Sequence, residues 1–144
     1  MKPIQEMSVV ITGGGSGIGE ATARYLAAQG AKVTICGRRE DRIKTVAKEI
    51  GNNCAWITAD VTSSADRQKL IDTAILHGGR IDALISNAGN MERKPVEDWT
   101  EERLLQVFND NVISGMMLTQ VALPHLVATE GAIIFIGSVY TVRA

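Results

Sequence analysis

Glycine is concentrated in one short segment near the start of the sequence, residues 12–19, which read TGGGSGIG. The segment follows an apolar run at 8–11 and precedes residues with helical periodicity. Glycines at a strand-to-helix turn let the backbone approach a pyrophosphate, whose charge meets free N–H groups at the start of the helix. The spacing of Gly13, Gly17 and Gly19 does not fit G-x-G-x-x-G in any register. Its place between a strand and a helix still favours a dinucleotide phosphate site over a merely flexible connection.

A pair of arginines follows the second apolar run, about 20 residues beyond the glycine segment, where residues 36–39 read CGRR. At this place an acidic side chain binds the ribose 2′-hydroxyl of NAD, whereas arginine accommodates the 2′-phosphate of NADP. Arg38 and Arg39 therefore favour NADP(H) over NAD(H), and Ser16 could add a hydroxyl to the phosphate site. Glu40 and Asp41 come later, where they suit the first turn of the next helix. The alternative is that one or both arginines are only solvated.

The rest of the sequence alternates between short apolar runs and longer stretches with helical periodicity. The runs are apolar nearly throughout, as expected of parallel strands that are covered on both faces. We predict strands at 8–11, 32–36, 54–58, 81–85 and 132–136. Strands separated by helices require right-handed crossovers and a parallel sheet. The sequence therefore predicts an α/β fold, a doubly wound (Rossmann) parallel sheet of about five strands with helices on both faces, in a single domain spanning 1–144.

Each helix between the strands is predicted to bury one apolar face. The predicted faces are Ile18, Ala21, Tyr25 and Leu26 in the first helix, Ile43, Val46, Ala47 and Ile50 in the second, and Leu70, Ile71, Ala74 and Ile75 in the third. Ser63 or Ser64 is expected to cap the third helix. A longer helical segment covers roughly 100–128, and Pro124 should kink or shorten it.

Composition limits the partners that this chain can have. The 144 residues include 15 basic and 16 acidic ones, a balance that offers no basic field to nucleic acid or to an anionic membrane. No apolar run approaches the ~18 residues of a membrane helix, and the first residues show no secretory signal. Two cysteines are too few for a disulfide scaffold, and the cysteines and histidines have no metal-ligand spacing. Cys36 and Cys54 fall at opposite ends of their predicted strands, so we expect no disulfide between them and interpret both as small buried hydrophobic residues. We expect a cytoplasmic protein with no metal, no nucleic-acid partner and no membrane partner.

Taken together, the motifs resemble those of the short-chain dehydrogenase/reductase family. Its glycine pattern T-G-x-x-x-G-x-G is matched at 12–19, and matches follow in order at Asp60-Val61, at 87–89 (NAG), at Asn111 and at 137–138 (GS). The resemblance implies a hydride transfer between a nicotinamide dinucleotide and a small-molecule carbonyl or secondary alcohol. The residues expected to bind the cofactor are Thr12, Gly13, Gly15, Ser16, Gly17, Ile18, Gly19, Arg38, Arg39, Asp60, Val61, Asn87, Ala88 and Gly89.

The resemblance also assigns individual roles. Asp60 and Val61 would flank the adenine, and residues 87–89 would form the floor beside the ribose; the alternative for Asn87 is that it only ties neighbouring strands together. Ser138 resembles the catalytic serine that hydrogen-bonds the substrate carbonyl. Asn111 resembles the helix asparagine that holds a water in the proton relay. It is expected to be buried, and the alternative is that it caps a local kink.

One part of the family pattern is absent from the sequence. The acid/base pair Y-x-x-x-K should lie about one turn into the helix after Ser138, but Tyr25 is followed at +4 by Gln29 and Tyr140 by Ala144. The family's last strands and helices have no counterpart in the sequence either. Two explanations stay open, a fragment of a longer reductase or a naturally short protein, and the final residues slightly favour truncation before Y-x-x-x-K.

We therefore expect the cofactor-binding part of an NADP(H)-dependent oxidoreductase, inactive as an isolated chain. A non-catalytic dinucleotide-binding or sensor module is the alternative, and an assembly subunit without affinity for a nucleotide is a third. Without the family's later strands and helices, the strand 132–136 would form an exposed edge of the sheet. The apolar side chains of Val112, Met116 and Met117 would then also be partly exposed. An uncovered edge beside an apolar patch favours association, which predicts a homo-oligomer.

Overall fold

A computed structural model describes residues 2–138. Strands and helices alternate along the chain as predicted, with a π-helical turn (Asn109–Ile113) between the last two helices and single 3₁₀ turns at Ile4–Glu6 and Val96–Asp98. The strands are β1 (Ser8–Thr12), β2 (Lys32–Gly37), β3 (Cys54–Thr58), β4 (Ala83–Ser86) and β5 (Ala132–Phe135). The helices are α1 (Gly17–Ala28), α2 (Glu40–Ile50), α3 (Ser64–Gly78), α4 (Glu101–Phe108) and α5 (Ser114–Thr129).

The five strands form one parallel sheet in the order β3-β2-β1-β4-β5. The central strand β1 is buried along its whole length, and its Ile11 lies in register with Ile35 of β2 and Ile85 of β4. The order of the strands reverses between β1 and β4. In open parallel sheets a ligand crevice lies beyond the carboxyl ends of the strands at such a reversal. The predicted doubly wound fold is confirmed.

Two layers of helices cover the sheet. On one face, Ile43 and Val46 of α2 pack with Ile35 and with the small residues of α1. On the other face, Leu70 of α3 and Leu118 of α5 belong to a second buried cluster. The predicted buried faces of α2 and α3 are confirmed, with Ile50 and Ile75 at their half-buried margins.

The predicted buried face of α1 is wrong for Ile18, Ala21 and Tyr25, which are exposed, and only Leu26 packs against the core. Ile18 and Tyr25 are 61% and 63% exposed, whereas Gly19, Ala23 and Ala27 are buried. Because these small residues form the face that meets the sheet, α1 approaches β1 and β2 closely and no room is left for the larger side chains. Helix α1 therefore illustrates how close packing, rather than side-chain hydrophobicity, selects the buried face.

The predictions for the cap of α3 and for the cysteines are largely confirmed. The Ser63 Oγ accepts a hydrogen bond from the backbone N–H of Asp66, at 3.3 Å, and caps α3. Cys36 lies near the carboxyl end of β2 and Cys54 at the amino end of β3, so they are at opposite ends of neighbouring strands. Cys36 is fully buried, but Cys54 is only partly buried, contrary to the expectation for both.

The long helical segment continues through Pro124 to Thr129, so the expected shortening does not occur. Its irregularity lies instead at the π-helical turn.

By length and composition alone, the helical segment Glu101–Thr129 could cross a membrane. It has 29 residues, and the mean hydropathy of its most apolar 18-residue stretch is 1.4. In the fold, however, Leu118, Ala122 and Leu126 are buried in the cluster that α5 shares with α3. We therefore interpret α5 as a crossover helix of the sheet.

Strand β5 forms an exposed edge of the sheet. Side chains 133–136 are 38–48% exposed although all four are large and apolar. Val112, Met116 and Met117 of the long helical segment are also exposed. The uncovered apolar surface that the sequence predicts is therefore present in the described part of the chain.

Candidate dinucleotide-binding cleft

A cleft of about 360 Å³ lies at the carboxyl ends of the strands. Many of the predicted cofactor residues line it: Gly13, Gly15, Ser16, Arg38, Arg39, Asp60, Val61, Asn87, Ala88 and Gly89. It is also lined by residues that the sequence analysis missed, namely Cys36, Gly37, Arg42, Ile43, Ala59, Thr62, Asn90 and Asp110. Arg42 could have been found, because it lies one helical turn after Arg39 at the start of α2.

The glycine loop forms one wall of the cleft, and close contacts require glycine at Gly13, Gly14 and Gly19. Gly13 has φ +68°, and a Cβ added there would lie 2.9 Å from Asn87 Nδ2. A Cβ at Gly19 would collide with the carbonyl oxygen of Gly13 and would lie 2.6 Å from Asn87 Nδ2. Gly17, Ile18 and Gly19 do not line the cleft. They form the first turn of α1, whose N-cap residue Ser16 lines the cleft.

Thr12 and Asn87 join the carboxyl ends of β1 and β4. The Thr12 Oγ1 accepts hydrogen bonds from the backbone N–H groups of Asn87 (2.9 Å) and Ala88 (2.8 Å), and Asn87 Nδ2 donates to the Thr12 carbonyl at 3.0 Å. Thr12 is 1% exposed and lies beneath the cleft rather than in its lining. Asn87 therefore does tie the neighbouring strands β1 and β4 together, as the alternative interpretation held. It is half-buried and also lines the cleft.

The wall beyond β2 is cationic. Arg38, Arg39 and Arg42 all line the cleft and all are exposed. The Arg39 Nη2 donates a hydrogen bond to Ser16 Oγ at 3.1 Å and so connects this wall to the glycine loop. Guanidinium groups and a hydroxyl in this arrangement suit an oxyanion such as a phosphate monoester.

The wall beyond β3 is held in place by the first turns of α3. Asp60 Oδ1 accepts from the backbone N–H (2.9 Å) and the Oγ1 (2.8 Å) of Thr62. Asp66 Oδ2 accepts from the Asp60 N–H at 3.0 Å, and Arg67 Nη1 donates to the Val61 carbonyl at 2.7 Å. The bond from the Thr62 N–H, aided by the Thr62 hydroxyl and the Arg38 charge, lowers the pKa of Asp60. Asp60 therefore presents an anionic carboxylate to the cleft at neutral pH.

Asn111 lies in the π-helical turn and is exposed, so the expectation that it is buried is wrong. Its amide is nevertheless satisfied: Oδ1 accepts from the Asn90 N–H at 3.0 Å, and Nδ2 donates to the carbonyls of Asn90 (2.8 Å) and Val107 (2.7 Å). Because the side chain binds these backbone groups, it fixes the loop after β4 to the turn. This agrees with the alternative of a local irregularity in the helix.

Ser138 and Tyr25 do not line the cleft. Ser138 follows β5 at the same edge of the sheet as the cleft, and Tyr140 lies outside the described residues. Tyr25 projects from α1 and is exposed.

The cysteine in the cleft lining offers no nucleophile. Burial raises the pKa of the Cys36 thiol to about 12, so Cys36 stays protonated at neutral pH. Among residues 2–138, the His, Cys, Asp and Glu side chains form no group of three that could hold a metal ion.

Comparison with known proteins is consistent with this geometry. Residues 7–144 match the family described as short chain dehydrogenase. An 11-beta-hydroxysteroid dehydrogenase-like protein 4A of Arabidopsis thaliana is 38% identical over 90% of this chain and 45% of its own length. An L-fucose dehydrogenase of Bos taurus is 36% identical over 90% of this chain and 48% of its own length. The chain thus spans about half the length of these curated relatives.

A solved structure resembles the fold closely. A Caenorhabditis elegans short-chain dehydrogenase/reductase of unknown function, crystallised with cofactor, superposes with a TM-score of 0.89 at 28% identity. The superposition covers 96% of this chain and 55% of the other. The match over nearly the whole chain, together with the sheet order and the glycine-lined cleft, shows that the chain belongs to the short chain dehydrogenase family of dinucleotide-dependent oxidoreductases.

Proposed function

We propose that this chain forms the cofactor-binding part of an NADP(H)-dependent oxidoreductase. The enzyme would transfer a hydride between the nicotinamide and the carbonyl or secondary alcohol carbon of a small molecule, with the hydride chemistry supplied by the cofactor. One observation carries the choice of cofactor: the cleft wall beyond β2 is made of Arg38, Arg39 and Arg42.

The residues that follow β2 favour a dinucleotide with a 2′-phosphate on its ribose, as in NADP, over one with a free 2′-hydroxyl, as in NAD. An acidic side chain at the end of β2 would accept the hydroxyl of NAD, but residues 36–39 contain none. Glu40 and Asp41 are in the first turn of α2 and do not line the cleft. Charge-assisted hydrogen bonds from guanidinium groups are about twice as strong as neutral ones, and Arg39 already points a donor at Ser16.

The glycine loop fits the pyrophosphate of such a ligand. Gly13 and Gly15 line the cleft without side chains, and added Cβ atoms would meet Asn87 Nδ2 and Ile43 Cγ2 at 2.9 and 3.0 Å. Because these glycines have no side chains, an anion in the cleft can come close to the backbone N–H groups of the loop. The N-terminus of α1 then adds its favourable electrostatic potential.

Calorimetric titration of the 144-residue chain with NADPH and with NADH tests the proposal. A charge-assisted phosphate contact predicts at least about tenfold tighter binding of NADPH. Arg38→Asp should remove this preference, whereas Lys48→Asp, with the same charge change at an exposed position of α2 outside the cleft, should preserve it. Equal affinities, or tighter binding of NADH, would contradict NADP(H) dependence. If Arg38→Asp retains the preference, Arg39→Asp identifies the phosphate ligand.

For catalysis, we propose that Ser138 hydrogen-bonds the substrate carbonyl and that Asn111 supports the proton relay. Ser138 lies three residues after the end of β5, at the carboxyl edge of the sheet, which supports this role. The alternative is a non-catalytic dinucleotide-binding or sensor module, and Y-x-x-x-K does not occur among the 144 residues given. A longer reading frame that contains this motif would separate the two.

We also propose a cytoplasmic homo-oligomer. The balanced charge of 15 basic and 16 acidic residues supports a soluble cytoplasmic chain without a nucleic-acid partner. The exposed apolar side chains of β5 and α5 support association with another copy.

A further inference from the structure

We propose that Arg67 is a positioning residue of the cleft: it holds the wall beyond β3 in its binding-competent shape by fixing the backbone of Val61 from behind. The inference rests on the proposed function of the cleft. Val61 lines the cleft, whereas Arg67 lies outside the lining and acts only through Val61. No motif of the sequence assigns a role to Arg67.

Arg67 stands on a face of α3 that is otherwise apolar. The buried residues of this helix recur at the spacing of one helix face, and they are Arg67, Leu70, Ile71 and Ala74. The three apolar ones belong to the buried cluster that α3 shares with α5, and Arg67 is only 8% exposed. Periodicity alone would place an apolar side chain at position 67. Packing therefore gives no reason for a guanidinium there.

The charge of Arg67 is buried without a counter-charge. Within residues 2–138, none of the ion pairs includes Arg67, and its Nε is buried without a hydrogen-bond partner. Arg67 also lies four residues after the N-cap Ser63, and the helix dipole disfavours a cation near a helix N-terminus. Replacement of buried charged groups by apolar residues of similar volume is often neutral or stabilising for a fold. The benefit of Arg67 therefore lies elsewhere than in stability.

The benefit lies at the peptide group between Val61 and Thr62, which is held at both ends. Arg67 Nη1 donates to the Val61 carbonyl at 2.7 Å, and the Thr62 N–H donates to Asp60 Oδ1 at 2.9 Å. Both bonds are charge-assisted, because one donor is a guanidinium and the other acceptor is a carboxylate. Bonds to the carbonyl and to the N–H of one peptide group resist rotation of its plane. They thereby fix the direction in which the Val61 side chain leaves the backbone.

The orientation of Val61 matters because this residue connects the core to the cleft. Val61 packs against the buried cluster of α3 and α5 and also lines the cleft. The neighbouring backbone is anchored independently of Arg67, since the Asp60 N–H donates to Asp66 Oδ2 at 3.0 Å and the Ser63 N–H donates to the Asp60 carbonyl at 2.9 Å. Loss of the Arg67 bond therefore frees one peptide plane without unfolding the loop. When only a fraction of the molecules has the competent wall, the apparent affinity for a ligand falls by that fraction.

Calorimetric titration with NADPH and urea denaturation of Arg67→Met test the proposal together. Methionine keeps a long apolar stem but has no donor, so NADPH should bind about tenfold more weakly, as expected for the loss of a hydrogen bond from a charged donor. The urea midpoint should stay the same or rise, because a buried charge has been removed. Arg67→Lys keeps a charged donor and should bind NADPH within about threefold of the unmodified chain. Lys48→Met removes one positive charge at an exposed position of α2 outside the cleft, and this control should change neither quantity.

Amide hydrogen exchange tests the position of the peptide group without any ligand. In Arg67→Met the Thr62 amide should exchange about tenfold faster, because its peptide plane is then held at one end only. The Ala59 amide donates to the Gly37 carbonyl at 3.1 Å in the same loop and should keep its rate. A change at Thr62 without one at Ala59 is the signature of positioning, whereas general loosening of the fold would speed exchange at both amides.

The outcomes separate this inference from the proposed function. Binding of NADPH with equal affinity by the unmodified chain and by Arg67→Met overturns the role of Arg67 and leaves the cleft as a dinucleotide site. A lower urea midpoint of Arg67→Met, with faster exchange at both Thr62 and Ala59, makes Arg67 a stabiliser of the fold and also overturns the inference. No binding of NADPH by the unmodified chain overturns the proposed function, and the inference with it.

Discussion

Asn111 binds both backbone groups of Asn90: its Oδ1 accepts from the Asn90 N–H at 3.0 Å, and its Nδ2 donates to the Asn90 carbonyl at 2.8 Å. The same Nδ2 donates to the carbonyl of Val107, four residues earlier, at 2.7 Å. One amide therefore holds the loop after β4 and part of the π-helical turn. Because Asn90 lines the cleft, this bond pattern also determines the shape of the candidate cofactor site.

Replacement of Asn111 tests this arrangement. Asn111→Asp keeps the acceptor but removes the donor and faces a charge towards two carbonyl oxygens, so the free energy of unfolding should fall by about 1–3 kcal/mol. Urea denaturation measures the loss. Asn109→Asp, in the same π-helical turn, is the control and should cost clearly less. Equal losses in the two variants would show that the turn tolerates no acidic residue, whatever its contacts.

The glycine loop predicts different costs for two alanine substitutions. A Cβ at Gly17 meets nothing within 4 Å, so Gly17→Ala should cost only the left-handed backbone (φ +57°), about 1–2 kcal/mol of unfolding free energy. Gly19→Ala should cost more and should also weaken NADPH binding, because its Cβ meets the Gly13 carbonyl and Asn87. Chemical denaturation and calorimetry measure the two effects. Equal free energies of unfolding for Gly19→Ala and Gly17→Ala would contradict the close contact between position 19 and the Gly13 carbonyl.

The environment of Asp60 predicts a dependence of stability on acid. The Thr62 bonds lower the pKa of Asp60 from its ordinary value of 3.8. A carboxyl whose pKa is lower in the folded state stabilises that state fully above the unfolded pKa and loses this contribution as the pH falls through the folded pKa. The difference in unfolding free energy between the unmodified chain and Asp60→Asn should be constant above about pH 5 and shrink below about pH 4. A difference that grows on acidification would contradict the lowered pKa.

The 144-residue chain should not reduce carbonyl substrates at an enzyme-like rate. Neither tyrosine of the sequence is followed four residues later by lysine, and general acid–base catalysis is worth about 10²–10⁴-fold in rate. Oxidation of NADPH followed by absorbance with a panel of aldehydes and ketones measures this. Robust turnover would mean that another acid acts in this chain, and Tyr140→Phe would then be the next variant.

The exposed apolar surface of β5 and α5 should drive self-association. Ile134 and Met116 are 45% and 57% exposed on this surface. Light scattering over a range of concentrations should show dimers or larger species, and Met116→Glu should shift them towards monomer. Leu76→Glu is the matched control, because Leu76 is 90% exposed on α3 rather than on β5 or α5, and it should leave the distribution unchanged. A monomer at all concentrations would contradict the prediction.

Much of the site could be predicted because parallel strands bring their carboxyl ends to one edge. Once the apolar runs are interpreted as parallel strands, the residues at their carboxyl ends, Thr12, Arg38, Asp60, Asn87 and Ser138, must lie at the same rim, whatever the details of packing. Arg42 and Asp110 were missed for the complementary reason. They lie within helical segments, and their contribution to the cleft depends on how each segment is placed over the sheet.

The sequence by itself determined the order of strands and helices, the glycine loop and the arginines after β2, because apolar periodicity and glycine spacing act over a few residues. Only the tertiary structure decided which face of α1 is buried and which side chains are used up within the fold. Ala23 and Ala27 face the sheet because the close approach of α1 leaves no room for Tyr25. The Thr12 hydroxyl accepts hydrogen bonds from the backbone N–H groups of Asn87 and Ala88, 75 and 76 residues away in the sequence. Such outcomes depend on contacts between distant segments, which no local pattern encodes.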